Sequence, residues 1–138
     1  MTDPNPGEAA PGVASPKPRR RWIVWAAAIV VTPILLFAIY TATALTWSYS
    51  DGDRSGALYK FSRKGWICKT WEGELNITPG AASPSIWYFT VRDDDVAKLV
   101  NGALGQKVAL HYSEHPGVPT SCFGDTRYYV TAVRVVKD

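Results

Sequence analysis

The sequence predicts one membrane-spanning helix followed by a small, mostly-β domain. Three observations carry this prediction: a long uncharged apolar run, a later stretch with alternating polar and apolar positions, and one segment of helical spacing within that stretch. The part after the apolar run is long enough for one small hydrophobic core and too short for two. We therefore expect a tail over residues 1–21, a span over 22–45, a connector over 46–56 and a domain over 57–138.

The apolar run extends from Trp22 to Leu45 and contains no charged residue. A hydrocarbon core about 30 Å thick needs about 20 apolar helical residues, so this run is long enough to cross a bilayer. It exceeds the roughly 7–15 apolar residues of a secretory signal, although the small residues near its end leave cleavage after Ala44 as an alternative. We therefore expect an uncleaved anchor in contact with the lipid bilayer. Pro33 lies within the run, but proline is tolerated in membrane helices. The proline-rich tail before it is expected to be disordered.

The charges that flank the run predict its orientation. Arg19–Arg21 directly precede it, and the first cation after it is Arg54. The positive-inside rule then leaves the N-terminus in the cytoplasm and places the domain outside the cytoplasmic membrane, in the periplasm of a bacterium. In such an oxidising compartment the only two cysteines, Cys68 and Cys122, favour a disulfide over a metal site or a catalytic pair.

The net charge of +3 belongs mostly to the tail. Residues 1–21 carry four basic and two acidic residues, which gives +2, and residues 46–138 carry eleven basic and ten acidic residues, which gives +1. Nucleic-acid binding depends on a basic patch that meets phosphates. A nearly neutral domain therefore argues against nucleic acid as a partner.

The domain contains five segments typical of strands and one typical of a helix. The predicted strands are Ala57–Phe61, Trp66–Ile77, Ile86–Val91, Gln106–Tyr112 and Arg127–Val136. Asp93–Asp95 begin the predicted helix, whose apolar face consists of Val96, Leu99, Val100 and Ala103, and Gly105 suits its end. The order strand, strand, strand, helix, strand, strand is that of the OB-fold, so we expect an OB-like five-stranded barrel with one helix between strands 3 and 4.

Alternation assigns faces to the first two predicted strands. The shared face of the first strand is Ala57, Tyr59 and Phe61, and that of the second is Ile67, Trp71, Leu75 and Ile77. Gly73 lies on the same face of the second strand, where we expect it to mark a bulge or a tight bend.

Several side chains are candidates for a binding surface. They are Trp71, Glu72, Glu74, His111 and His115, together with the irregular loop Ser113–Asp125. An exposed aromatic ring can stack on a sugar or a peptide ring, and two carboxylates on one strand face are either solvated or in contact with a glycan. The expected partner is an envelope protein or a glycan, with no cofactor and no metal.

An enzyme is the alternative. A thiolate such as that of Cys122 needs a nearby base, which His111 or His115 would supply only if Cys122 is not bonded to Cys68. A metal such as zinc takes about four ligands, which His111, Glu114, His115 and Cys122 would have to supply, with Cys68 or a carboxylate completing them. A purely structural role, in which the domain packs against a larger membrane complex, is the third interpretation.

Three stretches carry a resemblance to a known family: Tyr49–Gly56, Lys60–Gly65 and Lys69–Leu75. They resemble a family of small bacterial single-pass membrane-anchored proteins, some of which bear the name 6-phosphogluconate dehydrogenase. The sequence lacks the nucleotide-binding fingerprint, and the soluble part is too short for a two-domain dehydrogenase. The resemblance implies location and architecture, and it implies no catalytic residue.

Overall fold

The computed structural model describes residues 19–137 of the 138-residue chain. It contains α1 (Arg19–Thr46), β1 (Ser50–Lys64), β2 (Thr70–Asn76), β3 (Ile86–Val91), α2 (Asp94–Gly102), β4 (Lys107–Glu114) and β5 (Tyr128–Val135). The chain divides into two compact units, Met1–Leu36 and Phe37–Asp138, so the last turns of α1 belong to the same unit as the sheet. The predicted disorder of residues 1–18 lies outside the described residues.

The helix α1 is continuous through Pro33, and its apolar side chains are exposed. It is the one helix in the described part of the chain that is long and apolar enough to cross a membrane. The helix begins at Arg19, so Arg19–Arg21, which precede the predicted span over 22–45, form its first turn. Basic residues have good helix propensity, and nothing in the local sequence stops the helix there.

The C-terminal turns of α1 are fixed to the loop that follows β4. The Tyr40 hydroxyl donates a hydrogen bond to the Gly117 carbonyl oxygen at 2.8 Å. The Tyr49 backbone N–H donates to the Glu114 carbonyl oxygen, also at 2.8 Å. The end of α1 therefore lies beside the end of the sheet where β1 begins and β4 finishes.

The five strands form one sheet that closes on itself. The pairings follow the order β1–β2–β3–β5–β4, and β4 pairs back with β1. All pairs are antiparallel except β3–β5, which is parallel and joins Thr90 to Tyr129. The predicted arrangement of an apolar helix followed by a five-stranded domain with one helix is confirmed.

The strand β1 is longer than predicted, and the connector over 46–56 is wrong from Ser50 onward. Residues 50–57 pair with β4 residue by residue, although most of them are polar. Backbone pairing, rather than apolar alternation, therefore determines this half of β1. A register shift between Leu58 and Lys60 then places Leu58 and Phe61 in the core and leaves Tyr59 73% exposed, so the predicted shared face of Tyr59 and Phe61 is wrong.

The strand β2 begins later than predicted, at Thr70 instead of Trp66. Residues 65–69 form a loop in which Trp66 and Ile67 are exposed, and Gly65 adopts a positive φ of 130°. The expected bulge at Gly73 is absent from β2, which pairs residue by residue with β3. A Cβ atom at Gly73 would collide with the ring of Phe89, so this glycine makes room for a core aromatic ring.

The helix α2 begins as predicted at the aspartate run. The Asp93 carboxylate accepts hydrogen bonds from the backbone N–H groups of Asp95 and Val96, at 2.8 and 3.1 Å. Leu99, predicted to be buried, is exposed, and Ala97 is buried in its place. The core that α2 and the sheet enclose consists of Leu58, Phe61, Leu75, Trp87, Phe89, Val91, Ala97, Val100, Ala103, Val108, Leu110 and Val130.

Candidate functional site

A cleft of about 380 Å³ lies on the outer face of β1, β2 and β3. Because side chains alternate along a strand, the residues that line it are those opposite the core positions. The lining includes Lys60, Lys64, Glu72, Glu74 and Tyr88 from the strands, with Asp125 and Thr126 from the loop after β4. We call this the outer-face cleft.

The lysines of the outer-face cleft are paired. The ammonium of Lys60 lies 3.1 Å from a Glu74 carboxylate oxygen, and the ammonium of Lys64 lies 2.8 Å from Asp125. The hydrogen bond and charge of Asp125 raise the pKa of Lys64. The lining carries these two ammonium groups and the three carboxylates of Glu72, Glu74 and Asp125, so the cleft is polar without being basic.

The carboxylate of Glu72 anchors the loop after β4, which forms one side of the cleft. It accepts hydrogen bonds from the hydroxyls of Thr70 and Thr90, each at 2.7 Å, and from the backbone N–H of Asp125 at 3.1 Å. Thr90 is fully buried under the loop. Glu72 is therefore a positioning residue that joins β2 and β3 to the β4–β5 loop.

Tyr88 presents its ring to solvent in the same cleft. The side chain is 56% exposed, and it makes no ring or cation contact with another residue of the described part of the chain. A free tyrosine face beside carboxylates suits a flat polar ligand such as a sugar ring. The sequence does not show which of the domain's aromatic rings remains exposed, because the place of Tyr88 beside Glu74 depends on the register of β2 and β3.

A disulfide joins the loop that contributes Asp125 and Thr126 to the cleft with the loop between β1 and β2. Cys68 in the β1–β2 loop (residues 65–69) and Cys122 in the β4–β5 loop (residues 115–127) have Cα atoms 4.9 Å apart. The predicted cysteine pair is confirmed, and the described chain has no free thiol. The thiolate that the enzyme alternative requires at Cys122 is consequently absent from this structure.

Trp71, predicted to line a binding surface, lies on the opposite face of β2 from Glu72 and Glu74. Its ring stacks on Phe61 with centroids 5.3 Å apart, and its indole N–H donates to the Asp94 carboxylate at 2.9 Å. The side chain packs against the core and fixes the first turn of α2.

The two histidines lie apart from the cleft and have different partners. His111 is exposed and its Nδ1 lies 3.0 Å from the Asp53 carboxylate. His115 is buried, and since a carbonyl oxygen only accepts, its Nδ1 donates to Ala44 at 3.1 Å while Nε2 contacts the Ser113 hydroxyl at 3.0 Å. Of the five predicted residues, only Glu72 and Glu74 share the cleft. Residues 19–137 contain no group of three or more acidic, histidine or cysteine side chains arranged to hold a metal ion.

Comparisons with known proteins give one family match. A family model described as a domain of unknown function, DUF8785, matches residues 47–137. No curated protein matches the chain. Among solved structures, the chain is similar to a crystal structure of the mitochondrial single-stranded DNA-binding protein Rim1 from S. cerevisiae, with a TM-score of 0.47 and 9% identity over 67% of this chain and 98% of that chain. A likeness at this level carries no argument about ligand or role.

Proposed function

Because this chain belongs to the DUF8785 family of domains of unknown function, we propose its function from its own residues. It is a single-pass protein of the bacterial cytoplasmic membrane that presents an OB-like barrel outside the cytosol. The barrel binds an envelope ligand in the outer-face cleft, and a neutral glycan fits that cleft best.

The charge pattern and the disulfide support the membrane part of the proposal. The helix α1 has the length and composition of a spanning helix, and three arginines stand at its N-terminal end. The positive-inside rule orients such a helix with its N-terminus in the cytoplasm. Disulfides persist in oxidising compartments, which is where this orientation places Cys68 and Cys122.

The order of strand pairing supports the OB-like barrel. A closed β1–β2–β3–β5–β4 sheet with a helix between the third and fourth strands has the connectivity of that fold. OB-folds bind oligonucleotides or oligosaccharides on the face of strands 2 and 3, between the β1–β2 and β4–β5 loops. The outer-face cleft occupies this position, and here the disulfide joins the two loops.

The exposed ring of Tyr88 above paired charges is the observation that carries the glycan proposal. An oligonucleotide needs free cations for its phosphates, and Lys60 and Lys64 are both engaged by carboxylates. A sugar ring stacks on an aromatic face through its C–H groups, and its hydroxyls hydrogen-bond to carboxylates such as that of Glu74. The chemistry of the cleft therefore favours a neutral sugar over a nucleic acid.

Calorimetric titration of the detergent-solubilised full chain with a soluble oligomer of β-1,4-linked N-acetylglucosamine tests this proposal. We expect binding that Tyr88→Ala weakens about tenfold, which corresponds to about 1.4 kcal/mol. Tyr59→Ala is the matched control, because Tyr59 is also exposed, on β1, and does not line the cleft. Absence of binding by the wild-type chain, or equal binding by both variants, would contradict the glycan assignment.

A further inference from the structure

Another cavity, of about 250 Å³, lies where the ends of β1 and β3 meet the starts of β2 and α2. The residues that line it include Arg63, Lys69, Trp71, Arg92, Asp94 and Phe123. None of its lining residues belongs to the outer-face cleft. We call it the basic cavity.

Strand register places an arginine and a tryptophan side by side in the basic cavity. Arg63 is the cross-strand partner of Trp71, and Trp71 is that of Val91. Cross-strand partners project from the same face of a sheet. The guanidinium carbon of Arg63 accordingly lies 5.7 Å from the centroid of the Trp71 ring, on the other face of the sheet from the outer-face cleft.

A second arginine comes from the segment between β3 and α2. The guanidinium carbon of Arg92 lies 5.9 Å from the ring centroid of Phe123, in the β4–β5 loop, and 5.4 Å from that of Tyr129. The disulfide of Cys122, the sequence neighbour of Phe123, joins this loop to the β1–β2 loop that carries Lys69. Ring contacts and the disulfide therefore hold the segments that form the cavity together.

The charges in the basic cavity do not balance. Arg63, Lys69 and Arg92 make no ion pair with a carboxylate within residues 19–137. Asp94 is the one acidic residue of the lining, and its carboxylate accepts a hydrogen bond from the Trp71 indole N–H at 2.9 Å. Three cations and one carboxylate leave a surplus of positive charge.

The other two aspartates of the run at the start of α2 are engaged elsewhere. Asp93 accepts hydrogen bonds from the backbone N–H groups of Asp95 and Val96, and the Asp95 carboxylate lies 2.8 Å from the ammonium of Lys98. Neither aspartate lines the basic cavity. A concave surface lined mostly by one sign of charge concentrates counterions, so this cavity attracts a small anion.

We propose that the basic cavity binds a phosphate group, either of a small monoester or of free phosphate. A guanidinium that lies over a ring still presents its N–H groups, which lie in its own plane, to an acceptor. Phosphate carries about −1.5 to −2 charges at pH 7 and three acceptor oxygens, which match two guanidiniums and one ammonium better than a carboxylate does. The volume is at the lower limit of ligand pockets, so the rest of the ligand is small.

Calorimetric titration of the full chain in an uncharged detergent at low salt tests the site. The probes are glycerol 3-phosphate, inorganic phosphate and uncharged glycerol. We expect both phosphates to bind, glycerol not to bind, and Arg63→Gln and Arg92→Gln each to weaken phosphate binding tenfold or more. Arg54→Gln is the matched control and should leave binding unchanged, because Arg54 also lies on β1 over a tryptophan ring, 4.9 Å from the centroid of Trp87, and does not line the cavity.

Asp94→Asn should give a gain in affinity, which a loss of folding cannot imitate. It removes the negative charge from the lining, while the amide oxygen of the new side chain can still accept the Trp71 N–H. Phosphate affinity should therefore increase several-fold at low salt, and this gain should shrink as added salt screens the charges. Lys69→Gln changes an exposed loop side chain and should weaken binding even if Arg92→Gln does not fold.

The outcomes identify the ligand. Tighter binding of glycerol 3-phosphate than of inorganic phosphate indicates an ester, and the reverse order indicates free phosphate. Binding of neither, equal losses in Arg54→Gln and Arg63→Gln, or weaker binding by Asp94→Asn overturns the site. A single-stranded oligonucleotide that binds more tightly than both probes, and loses affinity in Arg63→Gln, overturns the small-molecule assignment. Tyr88→Ala should leave phosphate binding unchanged, so this proposal and the glycan proposal can fail separately.

Discussion

The hydroxyl of Tyr129 is buried where it has no hydrogen-bond partner among the described residues. The side chain is 4% exposed, and its ring lies between Arg92, at 5.4 Å from the guanidinium carbon, and the ring of His115 at 5.2 Å. Burial raises the pKa of this hydroxyl, and the charge of Arg92 partly opposes the increase. The neutral phenol is therefore favoured in the folded chain.

We predict that Tyr129→Phe increases the free energy of unfolding by about 1 kcal/mol at neutral pH, because an unpaired buried hydroxyl costs about 1–3 kcal/mol. In the unfolded chain a tyrosine ionises near pH 10, below the raised folded-state pKa. Between these two values the folded state holds the proton that the unfolded state has released, so the wild type loses stability as the pH rises. The advantage of Tyr129→Phe should therefore grow above pH 10.

Denaturant unfolding of the solubilised chain at pH 7 and at pH 10.5 measures both effects. Tyr59→Phe makes the same chemical change at an exposed position and should alter neither value. A lower unfolding free energy for Tyr129→Phe at pH 7 would mean that the hydroxyl has a partner, such as a bound water.

Residue-level burial could be predicted from sequence only where strands keep a strict alternation. The period of two places Leu75 on the apolar face of β2, and Leu75 is fully buried. It fails at Tyr59, because a register shift inserts one position. Helical spacing likewise fails at Leu99, because it does not indicate which face of α2 meets the sheet. Position 73 requires a glycine because the ring of Phe89, on the next strand, lies against it. The sequence of β2 alone does not show this contact.

The disulfide ties the β4–β5 loop to the β1–β2 loop, and Glu72 ties the same loop to the sheet. The two cysteines are separated by 54 positions, for which chain-entropy arguments give a stabilisation of about 4 kcal/mol. We predict that the double variant Cys68→Ser and Cys122→Ser loses about 2–4 kcal/mol of unfolding free energy. It should also weaken binding in the outer-face cleft, because the loop that carries Asp125 becomes less ordered.

Unfolding of both chains with and without reductant measures this loss. The reductant should bring the wild type to the stability of the double variant and leave the variant unchanged. A variant as stable as the oxidised wild type would mean that the Glu72 hydrogen bonds alone hold the loop.

The order of elements could be predicted from sequence, whereas their ends and lengths could not always be. β3 is confirmed at Ile86–Val91 because its aromatic and β-branched residues stand between turn residues. β1 begins seven residues before its predicted start, because its first half is polar and is specified by its partner β4. The cleft shows the same limit: Glu72 and Glu74 are two apart in one strand, but Lys60 and Tyr88 come to lie beside Glu74 only through the pairing of β2 with β1 and β3.

At the scale of the whole molecule, the proposed orientation joins the charges around α1 to the state of the cysteines. Arg19–Arg21 precede the helix, and its last turns are followed by the polar residues that start β1. With the N-terminus in the cytoplasm, the domain folds in an oxidising compartment and the disulfide forms there. With the opposite orientation the cysteines would remain reduced.

We therefore predict that a reporter enzyme active only outside the cytosol gives signal when fused after Asp138 and none when fused before Met1. Alkylation of the protein from intact cells, carried out under denaturing conditions, should detect no free thiol on Cys68 or Cys122.

Replacing Arg19–Arg21 by glutamine removes the cytoplasmic positive charges, so part of the population should invert. That part should lose the reporter signal and gain two reactive thiols in equal proportion. Signal loss without new thiols would separate orientation from oxidation, and signal only from the N-terminal fusion would place the barrel in the cytosol and contradict the envelope role.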